Sequence, residues 1–278
     1  MVSLVLLSII FVFANAGMRN FQPAIFMDKK EKTELIERYK KANNKLVLLD
    51  YDGTLVNYEL IPDNARLPEH LSDILKKLIA TPQTNVFIIS GRSHLDIDKL
   101  LVHLPINIIA EHGAMMKENG VWKNHKTNNG SWKKVIIPIL NQTTSTCQRS
   151  FVEEKKFSLT WHYRNADIHS GYAHSRELIL KLEKIIHSYN LKILDGNKVV
   201  EILPDEIGKG KAVKELSEQN NYDFILSLGD DATDEEMFEY YLNNSNAFTI
   251  KVGNGDTYAR YKLSGINDVV SLLKHLSG

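Results

Sequence analysis

Asp50 and Asp52 stand two residues apart at the end of an apolar run, in the stretch KLVLLDYDGTLV from Lys45 to Val56. A short Leu-rich and β-branched run bounded by a turn signal marks a buried parallel strand. While the chain stays extended, side chains two apart point to the same side. Gly53 and Thr54 then supply a tight turn with small groups able to approach a ligand. Open parallel sheets take ligands outside the carboxyl ends of their strands, which is where this pair projects. Two carboxylates so placed repel each other unless a cation lies between them. Magnesium suits, because it is a hard ion that takes carboxylate and carbonyl oxygens and keeps several waters. With a cation present, Asp50 can attack phosphorus and form an aspartyl-phosphate. Asp52 can protonate the leaving oxygen and later activate water. A lone D-x-D can equally be an Asx turn closing a strand; the whole string DYDGTL after a buried strand is more specific.

A second dense signal is SLGDDATDEEMF, Ser227 to Phe238. A buried strand ends in Gly229, and Asp230, Asp231, Asp234, Glu235 and Glu236 follow. Acidic residues suit a helix start, but five within seven positions need a cation or a lysine partner. Asp230 is the best further metal ligand, with the Asp50 carboxylate and the Asp52 carbonyl completing the set. Asp234 would orient Lys209 or a metal-bound water. Ser90, at the end of NVFIIS, can donate a hydroxyl to a phosphate oxygen, although serine there is also a good helix N-cap. Arg92 beside it could hold a phosphate or a sugar; alone it would be an ordinary surface charge. Lys209, at a helix start in IGKGKAV, offers a point charge to a phosphate or to Asp50.

The elements that must position these groups alternate strand and helix. A charged helix over 28–42 leads into the first strand. Helical spacing of Leu71, Ile74, Leu75, Leu78 and Ile79 gives a helix from Glu69 to Ala80, entered through Pro68. A strand at 85–90, a helix through Leu95 to Leu104 and a strand at 107–110 follow. The last ends in Glu111-His112-Gly113. From Ala114 to Leu203 the texture changes to short strands at 157–163, 191–194 and 199–203 around a helix at 175–189. The alternation then resumes with a helix from Gly210, a strand at 224–228, a helix at 234–241, a strand at 247–252 and a helix at 268–276. The fold class is therefore α/β, a doubly wound, mostly parallel sheet with an inserted α+β cap. Residues 27–113 and 204–278 make the core and 114–203 the cap.

At 278 residues with 43% hydrophobic content, the chain can build a core plus a smaller inserted unit. Lys plus Arg and Asp plus Glu are both 34, so nothing suggests the basic face of a nucleic-acid partner. With a single cysteine, Cys147, there is no internal disulfide. Residues 1–26 are set apart. Val2 to Phe13 is apolar, and Ala14-Asn15-Ala16 resembles a cleavage site. No basic residue precedes the run, however, and it is too short for a spanning helix, so no stable membrane anchor is expected. It is either a signal peptide or an over-extended start, with Met18 and Met27 as alternative beginnings.

DYDGTL resembles the first motif of the haloacid-dehalogenase superfamily of aspartate-nucleophile phosphatases. Ser90, Lys209 and Asp230 to Asp234 resemble the second, third and fourth motifs, in the right order. Within that superfamily, SGR, AEHGA, VEEKKFSLTWHYR (Val152 to Arg164), LDGNKVVEI (Leu194 to Ile202) and GDDATDEEMF together look like the trehalose-6-phosphate phosphatase family, over Lys45 to Gly278. The resemblance implies a Mg²⁺-dependent hydrolysis of trehalose 6-phosphate in trehalose biosynthesis. Asp50, Asp52 and Lys209 would be catalytic, with Asp50, Asp52, Asp230 and Asp234 at the metal. Thr54, Ser90, Gly91, Arg92, Glu111 and His112 would serve substrate from the core side. Glu153, Lys155, Asn197, Lys198 and Glu201 would contact sugar from the cap, with Glu154 and Lys156 as rivals in the VEEKK register. Trp122, Trp132, Trp161 and Tyr163 could stack on a sugar or pack a core; His112 and His162 have no metal-ligand spacing. Other sugar phosphates (sucrose phosphate, mannosylglycerate phosphate, a hexose phosphate) and a non-catalytic sensor are the alternatives. A trehalose-6-phosphate synthase is a possible partner. The cytoplasm is the expected location, with secretion the alternative if residues 1–16 are a signal peptide.

Overall fold

The computed structural model describes residues 24–59, 61–124 and 130–278. The apolar run over 2–13 and the cleavage-like Ala14-Asn15-Ala16 lie outside the described residues, and so does any decision between their readings. Among the described residues, no helix is long and apolar enough to cross a membrane.

The chain begins with a two-residue strand, β1 (Ile25–Phe26), and then α1 (Lys29–Lys41). Asp28 caps α1 by accepting from the Lys30 and Glu31 amides, and Glu31 returns a carboxylate to the Asp28 amide. This capping box satisfies donors that a helix start leaves orphaned. There follow β2 (Lys45–Asp50), α2 (Glu69–Ala80), β3 (Thr84–Ile89), α3 (His94–Leu101) and β4 (Asn107–Ala110). Next come β5 (Met115–Glu118) and β6 (Val121–Asn124), then α4 (Lys133–Thr146), β7 (Phe151–Glu154), β8 (Leu159–His162), α5 (Ile168–Ile186), β9 (Leu191–Gly196) and β10 (Val199–Pro204). The last part holds α6 (Lys209–Glu218), β11 (Phe224–Gly229), α7 (Glu235–Tyr240), β12 (Ala247–Val252), β13 (Tyr261–Leu263) and α8 (Ile266–Leu276).

Nine strands form one sheet in the order β1-β13-β12-β11-β2-β3-β4-β5-β6, parallel as far as β4. β2 is buried at every position, because helices cover both faces. Val47 and Leu49 meet the side chains of α1, α2, α3 and α8. Leu46 and Leu48 meet those of α6 and α7. The chain leaves β2 toward β3 on one side and returns through β11 on the other. That makes the carboxyl end of β2 a switch point of the kind that holds ligands in α/β sheets.

Two strands inside the stretch read from the sequence as cap belong to this sheet. β5 pairs antiparallel with β4, and β6 with β5. The core therefore runs on to Asn124, and the cap boundary at Ala114 falls too early. Asn119-Gly120, with φ of 50° and 79°, is the left-handed turn that such a hairpin requires.

A second, antiparallel sheet of four strands, β7-β8-β10-β9, carries α4 and α5. Trp132, Trp161 and Tyr163 are buried in the core between them, and Trp122 packs edge-on to His94 at the main sheet. The aromatic residues considered as sugar platforms are thus packing groups. α4 had no sequence counterpart: Pro138 lies inside it, and its Thr-rich second half blurs the helical period.

Candidate active site

Parallel register gathers three strand ends. Asp50 closes β2 opposite Ile89 of β3, so Ser90 is next to it on one side. Leu49 lies opposite Leu228 of β11, which brings Asp230 alongside on the other. Lys209, the first residue of α6, is buried, and its Nζ donates to Asp50 Oδ1 and to Asp234 Oδ1, each at 2.7 Å. Asp234 Oδ2 accepts from the amides of Asp230 at 2.9 Å and Asp231 at 3.1 Å. Asp230 accepts from the Thr54 hydroxyl at 3.2 Å and the Tyr58 phenol at 3.0 Å.

Carboxylate oxygens of Asp50, Asp230 and Asp234 all lie within 4.8 Å of one another. Burial, with Asp230 and Asp231 nearby, pushes the Asp50 carboxyl up to about 8 despite Lys209. Burial and the neighbouring Asp234 and Asp231 push Asp230 up to about 6. Asp234 is also raised well above the usual range, first by burial and then by Asp50. Lys209, against the cost of burial, is held protonated by Asp234 and Asp50. One ammonium thus serves several buried carboxylates, and the buried Asp50 Oδ2 has no hydrogen-bond partner among the described residues. Gly53 leaves room for this crowding, since a Cβ there would collide with the Asp230 carboxylate. An orphaned carboxylate oxygen beside converging like charges is the arrangement that fits a hard divalent cation.

The acidic run after β11 divides its labour. Asp231 Oδ1 accepts from the Thr233 amide and hydroxyl and from the Asp234 amide. Glu235 pairs with Lys251 and accepts from Thr257 and the Tyr258 amide. Glu236 pairs with Lys192 and accepts from the Gly210 amide. Lysine partners therefore serve the helical positions, while Asp230 faces the Asp50 carboxylate.

Asp52 is assigned to the metal through its carbonyl, and its side chain is engaged elsewhere. Its carboxylate is gripped by Arg92, Nε to Oδ2 at 2.6 Å and Nη2 to Oδ1 at 2.7 Å. The fork geometry of a guanidinium matches a carboxylate in this two-point way. Arg92 also donates to the Pro62 carbonyl, so it handles Asp52 directly and lines the cavity only with what remains. Ser90 is not a helix cap; Ser93 caps α3 instead, and Ser90 Oγ accepts from the Arg92 amide.

The cap supplies the facing wall, and strand pairing decides which side chains form it. Phe151 is in register with His162, and His162 with Val199. Glu153 is in register with Thr160, and Thr160 with Glu201. These rows share one face of the sheet, while Val152, Trp161 and Val200 turn to the opposite face and its core. Glu153 meets His162 at 2.7 Å, and its carboxyl is lowered by that bond and by Lys155 in spite of burial. Glu154 pairs instead with Lys133, and Lys156 reaches Asn124. Strand alternation thus separates the rivals in VEEKK: Glu153 and Lys155 face the cavity, and Glu154 and Lys156 do not.

Lys155, Glu201 and His112 lock cap to core. Lys155 Nζ donates to the Gly91 carbonyl at 2.9 Å and to Glu201 Oε1 at 3.0 Å. Ser158 Oγ donates to the same Oε1 at 2.5 Å, and His112 Nε2 lies 3.1 Å from Oε2. Burial alone would raise Glu201, but Lys155 and His112 outweigh it and hold its carboxyl far below the usual range. Glu111 and His112 both adopt left-handed backbone, with φ of 49° and 55°, a cost that non-glycine residues bear mainly at functional sites. Gly91 permits the approach, because a Cβ there would strike the His112 ring.

These groups enclose a cavity of about 450 Å³, a size that fits a small-molecule ligand. Asp50, Asp52, Ser90, Gly91, Arg92, His112, Glu153, Lys155, Glu201 and Lys209 line it. Four expected substrate contacts do not. Thr54 is buried and spent on Asp230. Glu111 anchors the cap by accepting from the Phe157 amide at 2.9 Å and meeting His94 at 3.0 Å. Asn197 and Lys198 form the exposed two-residue turn between β9 and β10, and their carbonyls accept from Arg164 and the Tyr163 amide.

Tyr58, Phe151, Thr160, His162 and Arg164 line the cavity without having been singled out by sequence. Alternation outward from Glu153 would have found Phe151; nothing local marks Tyr58. A larger groove of about 1580 Å³ lies between α5, β9 and α6. Several of its charges are paired, as in Arg176–Asp195, Lys192–Glu236 and Lys211–Asp205, and it holds none of the candidate catalytic residues.

Comparison with known proteins bears on the same region. A family model described as trehalose-phosphatase matches residues 48–266. A bifunctional trehalose-6-phosphate synthase/phosphatase of Thermoproteus tenax is 38% identical over 252 residues, which is 90% of this chain and 34% of that protein. An alpha,alpha-trehalose-phosphate synthase [UDP-forming] B of Dictyostelium discoideum is 38% identical over 251 residues, 88% of this chain and 32% of that protein. The chain thus spans about a third of the length of these two relatives. The solved C-terminal domain of a Candida albicans trehalose-6-phosphate phosphatase superposes with a TM-score of 0.84 at 28% identity, covering 92% of this chain and 99% of that one.

Proposed function

The chain belongs to the trehalose-phosphatase family, and on that premise we propose that it hydrolyses trehalose 6-phosphate to trehalose and phosphate with Mg²⁺. One observation carries the reading: Asp50, a member of a carboxylate cluster that calls for a cation, lines the same cavity as a wall of hydrogen-bonding cap residues. Asp50, Asp230 and the Asp52 carbonyl would hold the ion, with Asp234 fixing Lys209 and the loop amides. Bound there, Mg²⁺ would neutralise phosphate charge and orient it for in-line attack. Asp50 Oδ2, which no donor occupies, attacks phosphorus and forms the aspartyl-phosphate. Lys209 steadies the developing charge from the Oδ1 side. Asp52 gives a proton to the leaving sugar oxygen, once Arg92 loosens its two-point grip, and takes one from the water that releases phosphate.

On the sugar side, Glu153, Lys155, Thr160, His162 and Glu201 offer donors and acceptors at matched positions. The buried Thr160 hydroxyl has no partner among the described residues. A wall of this kind selects for hydroxyls by leaving polar groups unpaired when hydroxyls are missing. The docked cap also excludes bulk water from the reacting centre. The bifunctional name of the Thermoproteus relative supports association with a synthase, and a biosynthetic role of this kind favours the cytoplasm.

The test is phosphate release by the purified protein across a panel of sugar phosphates, with Mg²⁺ and with a chelator. Release from trehalose 6-phosphate alone, lost on chelation, is the expected result. Equal rates on sucrose phosphate or hexose phosphates would overturn the substrate assignment and keep the aspartate chemistry. No release from any of them would leave the protein a sensor.

A further inference from the structure

Asp230 is held by two hydroxyls of different origin. Thr54 belongs to the turn that follows β2 and is fully buried. Tyr58 lies four residues on, in a loop with no regular structure, and the residue as a whole is 37% exposed. Burial and the nearby Asp230 and Asp231 raise the phenol above its ordinary range, so it remains a donor. What covers the ring comes from the cap: the Arg164 guanidinium lies 5.5 Å from its centroid. Arg164 Nη1 donates to the Glu59 carbonyl at 3.1 Å, and Nη2 donates to the Asn197 carbonyl at 3.0 Å. One arginine therefore ties the Tyr58 loop to the tip of the β9–β10 hairpin. If the cap moved away, Tyr58 would lose its cover, and Thr54 alone would hold Asp230.

We propose that Tyr58 is a positioning residue through which the closed cap, by way of Arg164, holds Asp230 for the divalent cation. The inference rests on the reading that Asp50 and Asp230 take Mg²⁺. Groups that orient a ligating carboxylate set metal affinity almost as strongly as the ligands do. Arg164 belongs to the cap and Tyr58 to the core, so cap docking as seen here and cation binding would favour each other, and linkage requires the effect to be reciprocal.

The experiment is a calorimetric titration of Mg²⁺ into resting protein without substrate, which reads binding apart from turnover. Tyr58→Phe keeps the ring and removes the hydroxyl. It should raise the Mg²⁺ dissociation constant about tenfold, with thermal unfolding in chelator unchanged. Arg164→Ala should raise it a few-fold. The double variant should be no weaker than Tyr58→Phe, because both act through one bond. A Tyr58→Phe protein binding Mg²⁺ as the parent does would overturn the proposal while leaving the phosphatase reading intact. Effects that multiply in the double variant would also overturn it, since Arg164 would then act by another route. A parent protein that takes up no Mg²⁺ would remove both the proposal and the cofactor assignment.

Discussion

The protein buries two charge clusters a short distance apart, and they are built on opposite principles. At the strand ends of the core, Asp50, Asp230 and Asp234 converge around a single ammonium, and burial with mutual repulsion raises their pKa values. Where the cap meets the core, Glu201 lies between Lys155, His112 and Ser158, and its pKa is lowered. The first cluster has carboxylate to spare and an oxygen without a donor. The second is matched, with both Glu201 oxygens occupied. Buried like charges call for a missing cation, whereas a balanced buried network costs a great deal to break and binds no ion of its own. On the proposed function, the contrast fits charge chemistry in the core and recognition of neutral hydroxyls by the cap.

Replacing the proposed nucleophile should break the core side alone. Asp50→Asn is expected to lower turnover by at least about three orders of magnitude, with folding retained in circular dichroism and hydrogen exchange. Near-parental phosphate release by that variant would place the nucleophile elsewhere.

On the cap side, Glu201→Ala leaves Lys155 and His112 facing each other without their carboxylate. Removing one partner of a buried pair costs about 3–5 kcal/mol, to be read as a lowered unfolding temperature. Activity should fall mainly through KM for the sugar phosphate, with hydrolysis of a small aryl phosphate far less affected. The pH dependence has a definite sign. The folded-state pKa of Glu201 lies below the ordinary 4.5, so the folded protein binds fewer protons and the stabilisation is complete above pH 4.5. It is lost as pH falls below that value. Glu201→Gln should therefore flatten the acid limb of the unfolding-temperature profile; an unchanged limb would mean the network carries no such charge.

Removing the ion tests the difference between the clusters. At Mg²⁺ a hundredfold above its dissociation constant, the folded state should gain about 2.7 kcal/mol, and a chelator should abolish the gain. Asp230→Asn should erase most of it, while Glu201→Gln should leave it in place. A shift of equal size in both variants would contradict the separation of roles. The smallest effect is expected at Phe151, which stacks on His162 with centroids 4.5 Å apart at the cavity edge. Losing the stack by Phe151→Ala should cost about 0.5–1.5 kcal/mol of sugar binding, seen as a KM rise of several-fold without change in kcat.

Much of the core was legible because its signals are local. An apolar run ending in DYDGTL specifies a buried strand and the groups at its mouth within a dozen residues. The same holds for SLGDD and for NVFIIS before Ser90. Lys209 required only a helix start in the right place. The weaker assignments have physical reasons as well. Thr54 reads as a ligand contact but faces Asp230; Glu111 reads as a sugar contact but anchors Phe157. Polar side chains near a strand end serve either use, and the choice depends on what packs beside them. Asn119-Gly120 was a hairpin signal in plain sight, yet which sheet receives that hairpin is decided by β4, not by the turn.

From the sequence alone came the α/β order, the strand ends that carry Asp50, Ser90 and Asp230, and the presence of an inserted α+β unit. These follow from periodicity and turn chemistry, which act over a few residues. Only the tertiary structure settled the wall of the cavity. A strand shows opposite faces at alternate residues, and slipping its pairing by one exchanges them all. The register β7-β8-β10 put Glu153, Thr160 and Glu201 in one row and sent Glu154 and Trp161 elsewhere, and the docking of cap on core laid Arg164 over Tyr58. Pairing between strands from distant parts of the chain is a property of the folded sheet, and no window of sequence contains it.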